Sequence, residues 1–553
     1  MVSRKQHVLN VRGALWVAAL SAVGAFAPIQ AAEVASKRFY PDDPLWREPA
    51  PRPVRQIAVR QVDDIYDFLE NSYVTGGREG KAAKHSPRPA QDINTLGEVP
   101  DSTWYTNRHG FRRMSIAELQ RGPGNETPPS SRGGWKIVGA KSDGVTPGFV
   151  IEDSNAHRYL FKFDPPDFPE LCSAADVIGS KFFYALGFFT PENYIVRFYR
   201  ENLAISPGTT WRDANGRKRL LTAQAVDELL KSQPKTGGAY RAVASRLVEG
   251  RVIGPFSYRG TRSDDPNDTI PHEDRRVLRG LRVFAAWLNH QDTRSINSMD
   301  TLVTENGRQY VKHYLIDFGS ILGSAGYARK EPWMGHQYFI SRPDAAMQTV
   351  TFGFYVPKWM RSKYPNYTGT GLLDSWSFDP LDWKPNYPNP AFLMMDRADA
   401  FWAAKQVTAF TDDEIRALVR IGEFTDPRAT EWVAKCLIER RDKIAAVWFK
   451  NVLPLHNFRV GDGKLSFDDA GAKSESAPRR AYTVRWAGFD NDRRAAVPLS
   501  AASGTTIPFN DHGFDYLAAT ITCSSVAEGP CPNPVVVYLR RTDARFEVVG
   551  IDR

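Results

Sequence analysis

The chain reads His290-Gln-Asp-Thr-Arg-Ser-Ile-Asn297 and, twenty residues later, Asp317-Phe-Gly319. These two short pieces say more about its architecture than any other part of its 553 residues. Apolar residues recur at helical spacing just before the first piece, which predicts an amphipathic helix over residues 272–289. Between the two pieces, alternating residues predict strands at Met299–Thr304 and Gln309–Ile316, joined by a tight turn. The expected order is therefore helix, polar loop, hairpin and second polar loop.

The residue types in the two polar loops suit the handling of a phosphate and a metal ion. Asn297 offers a neutral amide oxygen and Asp317 an anionic one, and Mg²⁺ prefers oxygen ligands. Asp292 is the candidate base for a hydroxyl group, and Arg294 is the candidate cation for a phosphate. Each loop alone is more often an ordinary hydrogen-bonded turn. Because both occur in this order and at this spacing, they favour phosphoryl transfer.

On these motifs the chain resembles the protein-kinase-like superfamily, over about residues 135–455. It looks closer to the atypical bacterial and secreted members, of HipA, CotH or phosphoinositide-kinase type, than to eukaryotic protein kinases. The resemblance implies an α+β, two-lobed fold with a small β-rich N-lobe and a larger, mostly helical C-lobe. It also implies that Asp292 and Arg294 are catalytic and that Asn297 and Asp317 hold the metal. His290 would then brace the loop and carry no protons.

The resemblance further implies phosphate contacts in the N-lobe. Lys162 lies on the second strand of a hairpin predicted at Gly148–Glu152 and Tyr159–Phe163, where such enzymes hold the α- and β-phosphates. An exposed strand lysine is the alternative. The preceding glycine-rich stretch contains Lys141 and Gly144, which are candidates for a loop that covers the phosphates. An ordinary hairpin loop fits that stretch equally well.

Kinase-like enzymes also pair the strand lysine with an acid on the following helix. The apolar pattern predicts that helix at residues 173–186, and Asp176 is the candidate acid. Glu170, just before the helix, is its rival. Ser173 and Asp176 also have the spacing of a capping box, which would give the aspartate a purely structural role.

The chain departs from the kinase pattern in two places. It has no G-x-G-x-x-G signature, and no A-P-E follows Asp317, which puts the usual docking of a peptide substrate in doubt. Residues 320–400 are instead rich in aromatic side chains, which predict either a pocket for a sugar or lipid-like acceptor or an ordinary core. These aromatic residues include Trp333, Tyr338, Phe352, Phe354, Tyr355, Trp359, Tyr364, Trp376 and Trp383.

The beginning of the chain has the pattern of a secretory signal peptide. Basic residues up to Arg12 precede an apolar run at Ala14–Ala27 and small residues at Ala31 and Ala32, where cleavage is expected. The run is too short for a transmembrane helix, and no later segment has the pattern of a span. We therefore expect an exported protein, periplasmic or extracellular.

The four cysteines agree with export. Cys523 and Cys531 bracket a short loop between two strand-like runs, and in an exported protein that spacing favours a disulfide. Cys172 lies beside a predicted helix and Cys436 within one, and both are expected to be isolated core thiols.

Composition shifts divide the chain into segments. They are a signal peptide at 1–32, an N-terminal extension at 33–134, a kinase-like N-lobe at 135–202, a C-lobe at 203–455, a polar, loop-like linker at 456–480 and a small all-β module at 481–553. Helices are predicted near Tyr66–Tyr73, 222–232, 412–423 and 427–449, and C-terminal strands at Tyr482–Trp486, Tyr516–Cys523, Pro534–Leu539 and Phe546–Ile551.

The sequence thus predicts an exported phosphotransferase that depends on ATP and on magnesium or manganese and acts on a hydroxyl group of a sugar, lipid or protein. The alternatives are an adenylyl transferase on the same fold and a non-catalytic pseudokinase that serves as a binding protein. Retention of Lys162, Asp292, Asn297 and Asp317 favours a catalyst. The net charge of +9 comes from scattered residues and the chain has no nucleic-acid motif, so we expect a solvated surface and no nucleic-acid partner, with attraction to anionic substrates or envelope components as a further interpretation.

Overall fold

The computed structural model describes residues 37–43, 46–75, 88–124, 128–140, 148–212, 217–450, 452–473, 480–508, 513–525, 531–543 and 545–553. The expected signal peptide at 1–32 and the expected phosphate-loop residues Lys141 and Gly144 lie outside these ranges. The chain has a mixed α+β architecture, as predicted. Among the described residues, no helix is both long enough and apolar enough to cross a bilayer.

The helices are α1 Asp64–Leu69, α2 Ile116–Arg121, α3 Leu171–Ala185, α4 Ala223–Lys231, α5 Arg276–Leu288, α6 Arg342–Val350, α7 Pro390–Leu393, α8 Arg397–Thr408, α9 Asp412–Arg420 and α10 Pro427–Trp448. The first ten strands are β1 Trp135–Ala140, β2 Gly148–Glu152, β3 Arg158–Phe163, β4 Asn193–Phe198, β5 Leu203–Ile205, β6 Thr210–Arg212, β7 Lys218–Leu220, β8 Lys235–Thr236, β9 Ala239–Arg246 and β10 Arg251–Gly254. The others are β11 Ser298–Glu305, β12 Arg308–Leu315, β13 Leu455–Gly461, β14 Lys464–Asp469, β15 Ala481–Asp490, β16 Ala495–Ser503, β17 Tyr516–Ser525, β18 Val535–Thr542 and β19 Arg545–Asp552.

The first large sheet has the strand order β4-β9-β3-β2-β1-β5, with β8 paired to β9. The predicted hairpin of β2 and β3 is confirmed, with Gly148 opposite Lys162. Aromatic side chains of β3, Tyr159 and Phe161 among them, are buried in a core on one face of this sheet. Because side chains alternate along a strand, Lys162 points to the opposite face, where α3 packs against β3, β4 and β9.

A helical region follows, built on α5, α8, α9 and α10. The helices predicted near 222–232, 412–423 and 427–449 are confirmed as α4, α9 and α10. The helix predicted at 272–289 begins later, at Arg276, because residues His272–Asp274 form a separate 3-10 turn. The carboxylate of Asp92 accepts hydrogen bonds from the first two backbone N–H groups of α5, so a distant residue fixes the start of this helix.

The hairpin predicted between the two polar loops is confirmed. β11 and β12 pair from Ser298–Leu315 to Glu305–Arg308 and form a sheet with β10. Asn306 and Gly307 both have positive φ, 51° and 75°, which is the backbone of a two-residue turn that matches the twist of the strands. This short turn fixes the register of β12 and therefore the position of the loop that follows it.

The C-terminal sheet has the order β16-β15-β17-β18-β19. Its four predicted strands are confirmed, and β16 is an additional one. The predicted disulfide between Cys523 and Cys531 is present, and Cys172 and Cys436 are buried free thiols, as expected.

Part of the expected linker at 456–480 is not loop-like. β13 and β14 form a hairpin there, with a register shift between His456 and Arg459. Leu455 and Leu465 are buried in the core of the C-terminal sheet. The interrupted register and the alternation of these apolar residues with exposed polar ones explain why the hairpin has a polar sequence.

The N-terminal extension contacts the C-terminal sheet and the sheet formed by β10, β11 and β12. Phe39 packs against Phe489 and Tyr538 of the C-terminal sheet. Val54 and Ile57 join a small core with residues of β10, β11 and β12. The helix predicted near Tyr66–Tyr73 is confirmed as α1, which continues as a π-helical turn at Glu70–Thr75.

Candidate active site

A lysine and two carboxylates from three different elements meet on the helix side of the first sheet. Lys162 of β3 forms a close ion pair with Asp176 of α3. Its Nζ atom also lies 3.0 Å from Oδ1 of Asp317, which follows β12. The structure therefore brings together three of the residues that the sequence singled out, across 155 positions of the chain.

Asp176 is fixed by more than the lysine. Its side chain is 2% exposed, and its Oδ1 accepts hydrogen bonds from Nδ2 of Asn193 at 2.9 Å and from the backbone N–H of Phe318 at 3.2 Å. The rival acid Glu170 instead accepts hydrogen bonds from Thr425. The alternative of a capping box at Ser173 is not realised, because Ser173 lies inside α3 and donates to Asp164.

The electrostatics of this cluster keep the lysine charged. Burial lowers the pKa of Lys162, but the carboxylates of Asp176 and Asp317 outweigh that effect, so the pKa lies above its ordinary value. Burial raises the pKa of Asp176, and the adjacent ammonium opposes that shift. Two acids thus face one cation, which leaves an excess of negative charge at the mouth of the cluster.

Asp317 occupies a backbone conformation that directs its carboxylate outward. Its φ of 61° lies in the left-handed region, and 54% of its side chain is exposed. The next residue, Phe318, turns the other way: it is fully buried and stacks on Phe183 of α3, with ring centroids 5.0 Å apart. The buried ring anchors the loop, while Asp317 remains accessible to a ligand.

Asp292 lies in a second hydrogen-bonded group, next to the first. Nδ2 of Asn297 donates to the backbone oxygen of Asp292 at 2.7 Å and to its Oδ2 at 2.9 Å. Nδ2 of Asn386 donates to Oδ1 at 3.1 Å. The backbone oxygen of Asn297 accepts from the N–H of Ile316 at 3.0 Å, directly before Asp317. The two polar loops are therefore joined side by side, as their order in the sequence suggested.

Arg294 lies between two acids. Its guanidinium pairs with Asp292 and, at 2.7 Å, with Asp64 of α1. The sequence singled out this arginine as a phosphate ligand, and the structure shows it held beside the carboxylate of Asp292. The N-terminal extension thus contributes a side chain to the site, which local sequence patterns gave no means of detecting.

His290 has the environment of a structural residue. Burial lowers its pKa to about 4, so the imidazole is neutral at physiological pH. The ring packs against Phe183 and Phe318, and within the described part of the chain its Nδ1 has no hydrogen-bond partner. This agrees with a bracing role for the histidine.

The donor set suits a hard divalent cation that is shared with a phosphate-bearing ligand. Because the NH₂ of Asn297 is committed to Asp292, its amide oxygen points away from that carboxylate, and Asp317 supplies anionic oxygens. Magnesium commonly takes one or two protein carboxylates and completes its octahedron with phosphate oxygens and water. The described ranges hold no group of three or more His, Cys, Asp or Glu residues that could hold a metal ion.

The aromatic residues of segment 320–400 are partly buried and partly exposed. Trp383 is buried and donates from Nε1 to Oδ1 of Asn289 at 3.0 Å. In contrast, Phe352 and Phe354 are 89% and 88% exposed. The core alternative therefore applies to Trp383, whereas Phe352 and Phe354 lie outside the core, and composition alone does not show which aromatic residues are exposed.

Comparisons with known proteins give little further guidance. No protein-family model matches the chain, and no curated protein matches it. A crystal structure of the Golgi casein kinase is similar with 10% identity and a TM-score of 0.27, over 74% of this chain and 96% of that one. A crystal structure of the Golgi casein kinase with Mn/ADP bound is similar with 10% identity and a TM-score of 0.24, over 73% and 98%. At these TM-scores, the function of this chain has to be inferred from its own side chains.

Proposed function

We propose that the chain is an exported phosphotransferase that uses ATP with magnesium or manganese and acts on a hydroxyl acceptor. The main observation in support of this proposal is that Lys162 pairs with both Asp176 and Asp317, next to the hydrogen-bonded pair of Asp292 and Asn297. In this proposal the first sheet and α3 form the small lobe of a kinase-like fold. The helices around α5 form the large lobe, and the C-terminal sheet is a separate β module.

Each side chain then has one task. Lys162 contacts the α- and β-phosphates, and Asp176 holds the lysine in position. Asn297 and Asp317 hold the metal ion, which neutralises charge on the phosphates when it is bound. Asp292 accepts the proton of the acceptor hydroxyl while the hydroxyl oxygen bonds to the γ-phosphorus. The bond between the γ-phosphorus and the bridging oxygen breaks at the same time, and that oxygen leaves with ADP.

The charge of the site should favour nucleotide that is in complex with a metal ion. The ion pairs of the site join four carboxylates to two cationic groups, a net formal charge of −2; they belong to Asp64, Lys162, Asp176, Asp292, Arg294 and Asp317. A polyphosphate anion alone is repelled by this excess, whereas its complex with a divalent cation is not. We therefore expect ATP without metal to bind weakly.

The first test is a melting experiment on the purified protein with ATP, with Mg²⁺ or Mn²⁺, and with both. A ligand at 100 times its Kd stabilises the native state by about 2.7 kcal/mol, which raises the melting temperature. Because ATP alone should bind weakly, we expect this rise only when nucleotide and metal ion are both present. Asp317→Asn, which preserves the volume of the side chain, should abolish that shift. Asp442→Asn, an exposed aspartate beside Arg441, is the matched control and should retain it.

A transfer assay then separates the alternatives. Label from the γ-phosphate should reach an acceptor or, in the absence of one, appear as slow ATP hydrolysis. Label transferred from the α-phosphate would instead establish an adenylyl transferase. The absence of a melting shift with every nucleotide and metal would exclude both transferases and leave a binding protein.

A further inference from the structure

The end of α6 and the segment that follows it expose apolar side chains to an unusual degree. Val350, Phe352 and Phe354 are 75%, 89% and 88% exposed, and Tyr355, Val356 and Met360 are exposed as well. Single exposed apolar residues are normal on a protein surface, but a contiguous group marks an interaction site. Nothing in the proposed chemistry accounts for this group.

Helix α1 and the turn after it show the reverse of the usual surface pattern. Three of the acids here are turned toward the protein: Asp64 pairs with Arg294, Asp67 accepts from the hydroxyl of Tyr387, and Glu70 pairs with Arg259. The apolar side chains face solvent; they are Ile65, Tyr66, Leu69, Tyr73 and Val74, of which Ile65 and Tyr66 are 71% and 67% exposed. A surface helix ordinarily presents charge to water and apolar groups to the core. The outer face of α1 and of the turn after it is therefore suited to contact with a surface that is less polar than water.

The outer face of α1 meets the residues that precede α6, close to Asp292. Phe68 of α1 contacts Phe339, with ring centroids 6.3 Å apart. The backbone N–H of Phe339 donates to Asn386 at 2.8 Å, and Asn386 donates to Asp292. We call residues 65–74 and 339–360 together the apolar rim. Through Asn386, the part of the rim at Phe68 and Phe339 lies next to Asp292, and residues 350–360 continue the rim along the chain.

The charge next to the rim is positive. Residues 351–373 include Lys358, Arg361 and Lys363 and no acidic residue. All three cations are exposed, and Lys358 lies over the ring of the exposed Trp376, 5.1 Å from its centroid. Aromatic and aliphatic side chains interleaved with lysine and arginine are typical of surfaces that bind the headgroup region of an anionic membrane.

We propose that the apolar rim docks on an anionic lipid bilayer and thereby turns Asp292 toward hydroxyl groups of membrane-borne molecules. The orientation of Asp292 toward an acceptor rests on the proposed function, whereas docking itself does not. A lipid surface fits better than a protein groove because side chains that are nearly 90% exposed project singly and need no shaped partner. The three cations supply the complementarity to anionic headgroups.

Docking would be shallow. Residues 351–357 belong to no helix or strand, and although the N–H groups of residues 351–354 close a turn onto backbone oxygens, the remaining backbone polar groups could not be satisfied in the hydrocarbon layer. Side chains on such a loop reach the boundary between headgroups and acyl chains while the backbone stays in the polar region. This mode agrees with the finding that no described helix is suited to cross a membrane.

The test is co-sedimentation of the purified exported protein with vesicles of phosphatidylcholine alone or mixed with phosphatidylglycerol. Binding to the mixed vesicles is expected, and Phe352→Ser/Phe354→Ser should weaken it at least about tenfold, since two exposed phenyl groups are lost. The matched control is Leu220→Ser/Leu247→Ser, which removes two exposed leucines outside the rim and should not weaken binding. Replacing the three lysine and arginine residues by glutamine should remove the preference for anionic vesicles.

Other outcomes would overturn the proposal. Absence of vesicle binding by a protein that shows the metal-dependent ATP shift would refute docking and leave the proposed function intact. A dimer in solution that Phe352→Ser/Phe354→Ser dissociates would identify a second copy of the chain as the occupant of the rim. Conversely, vesicle binding without any nucleotide shift would support docking and refute the phosphotransferase, so the two failures are distinguishable.

Discussion

The two acids that contact Lys162 differ in how deeply they are buried. We therefore expect the same substitution, aspartate to asparagine, to change the stability of the protein by different amounts at the two positions. Asp176 is almost fully buried and also accepts from Asn193 and Phe318, whereas half of the Asp317 side chain is exposed. Asp176→Asn places an amide NH₂ or an uncharged oxygen against a buried ammonium, while Asp317→Asn removes a contact that water already screens.

The magnitudes follow from these environments. Breaking a buried ion pair by removing one partner costs about 3–5 kcal/mol, and Asp317 remains as a partner for Lys162, so we expect a loss of about 2–3 kcal/mol for Asp176→Asn. An exposed ion pair contributes about 1 kcal/mol or less, and this is the limit expected for Asp317→Asn. In the absence of ligand, the two variants should therefore differ by about 2 kcal/mol, a factor of about 30 in the local opening equilibrium.

Hydrogen exchange measured by mass spectrometry reads this difference locally, on peptides that cover β3 and α3. Exchange there should be about 30 times faster in Asp176→Asn than in Asp317→Asn, and unchanged in the Asp442→Asn control. A double variant, Lys162→Met/Asp176→Asn, should be more stable than Lys162→Met alone. Lys162→Met leaves the buried carboxylate of Asp176 without its cation, whereas the double variant removes that charge as well. Equal exchange in the two aspartate variants, or a double variant less stable than Lys162→Met, would refute the view that burial governs this pair.

Three further predictions concern the rest of the chain. The pKa of His290 is about 4 in the folded protein and about 6.5 in the unfolded chain, so the unfolded state binds more protons between pH 4 and 6.5. The free energy of unfolding should therefore fall as the pH drops through this window, by up to about 1.4 kcal/mol per pH unit. His290→Gln should reduce this pH dependence in denaturant titrations. Reduction of the Cys523–Cys531 disulfide, or Cys→Ser at both positions, should destabilise the C-terminal sheet by about 2–3 kcal/mol without changing nucleotide binding, as measured by urea unfolding. Burial raises the pKa of the Cys172 thiol to about 12, so iodoacetamide should leave it unmodified in the native protein at neutral pH and modify it after denaturation, as read by mass spectrometry.

The elements that the sequence predicts well are those whose signals are local. The β2–β3 hairpin and the β11–β12 hairpin each combine alternating residues with turn residues between them, so both strands and their connection are encoded within about twenty positions. Helices α9 and α10 likewise show their own apolar periodicity and capping residues, Thr411 and Asp426.

The parts that the sequence does not predict depend on distant partners. The start of α5 is set by Asp92, 184 positions away, and Asp176 and Asp292 are oriented by Asn193 and Asn386. A single asparagine in a loop carries no pattern that marks it as a partner of one carboxylate. The strand order that brings β3, α3 and β12 together has to be known before such contacts can be inferred.

The orientation of α1 shows how far composition can mislead about a surface. Its sequence, Asp-Ile-Tyr-Asp-Phe-Leu, reads equally well with the acids toward water or toward the protein. Arg294 decides the matter, because it already balances Asp292 and draws Asp64 inward as a second partner. Once Asp64 faces the protein, helical geometry turns Ile65 and Tyr66 outward. The same ion pair that steadies the proposed acceptor base therefore also creates the apolar face beside it, so a change at Asp64 should affect both vesicle binding and transfer.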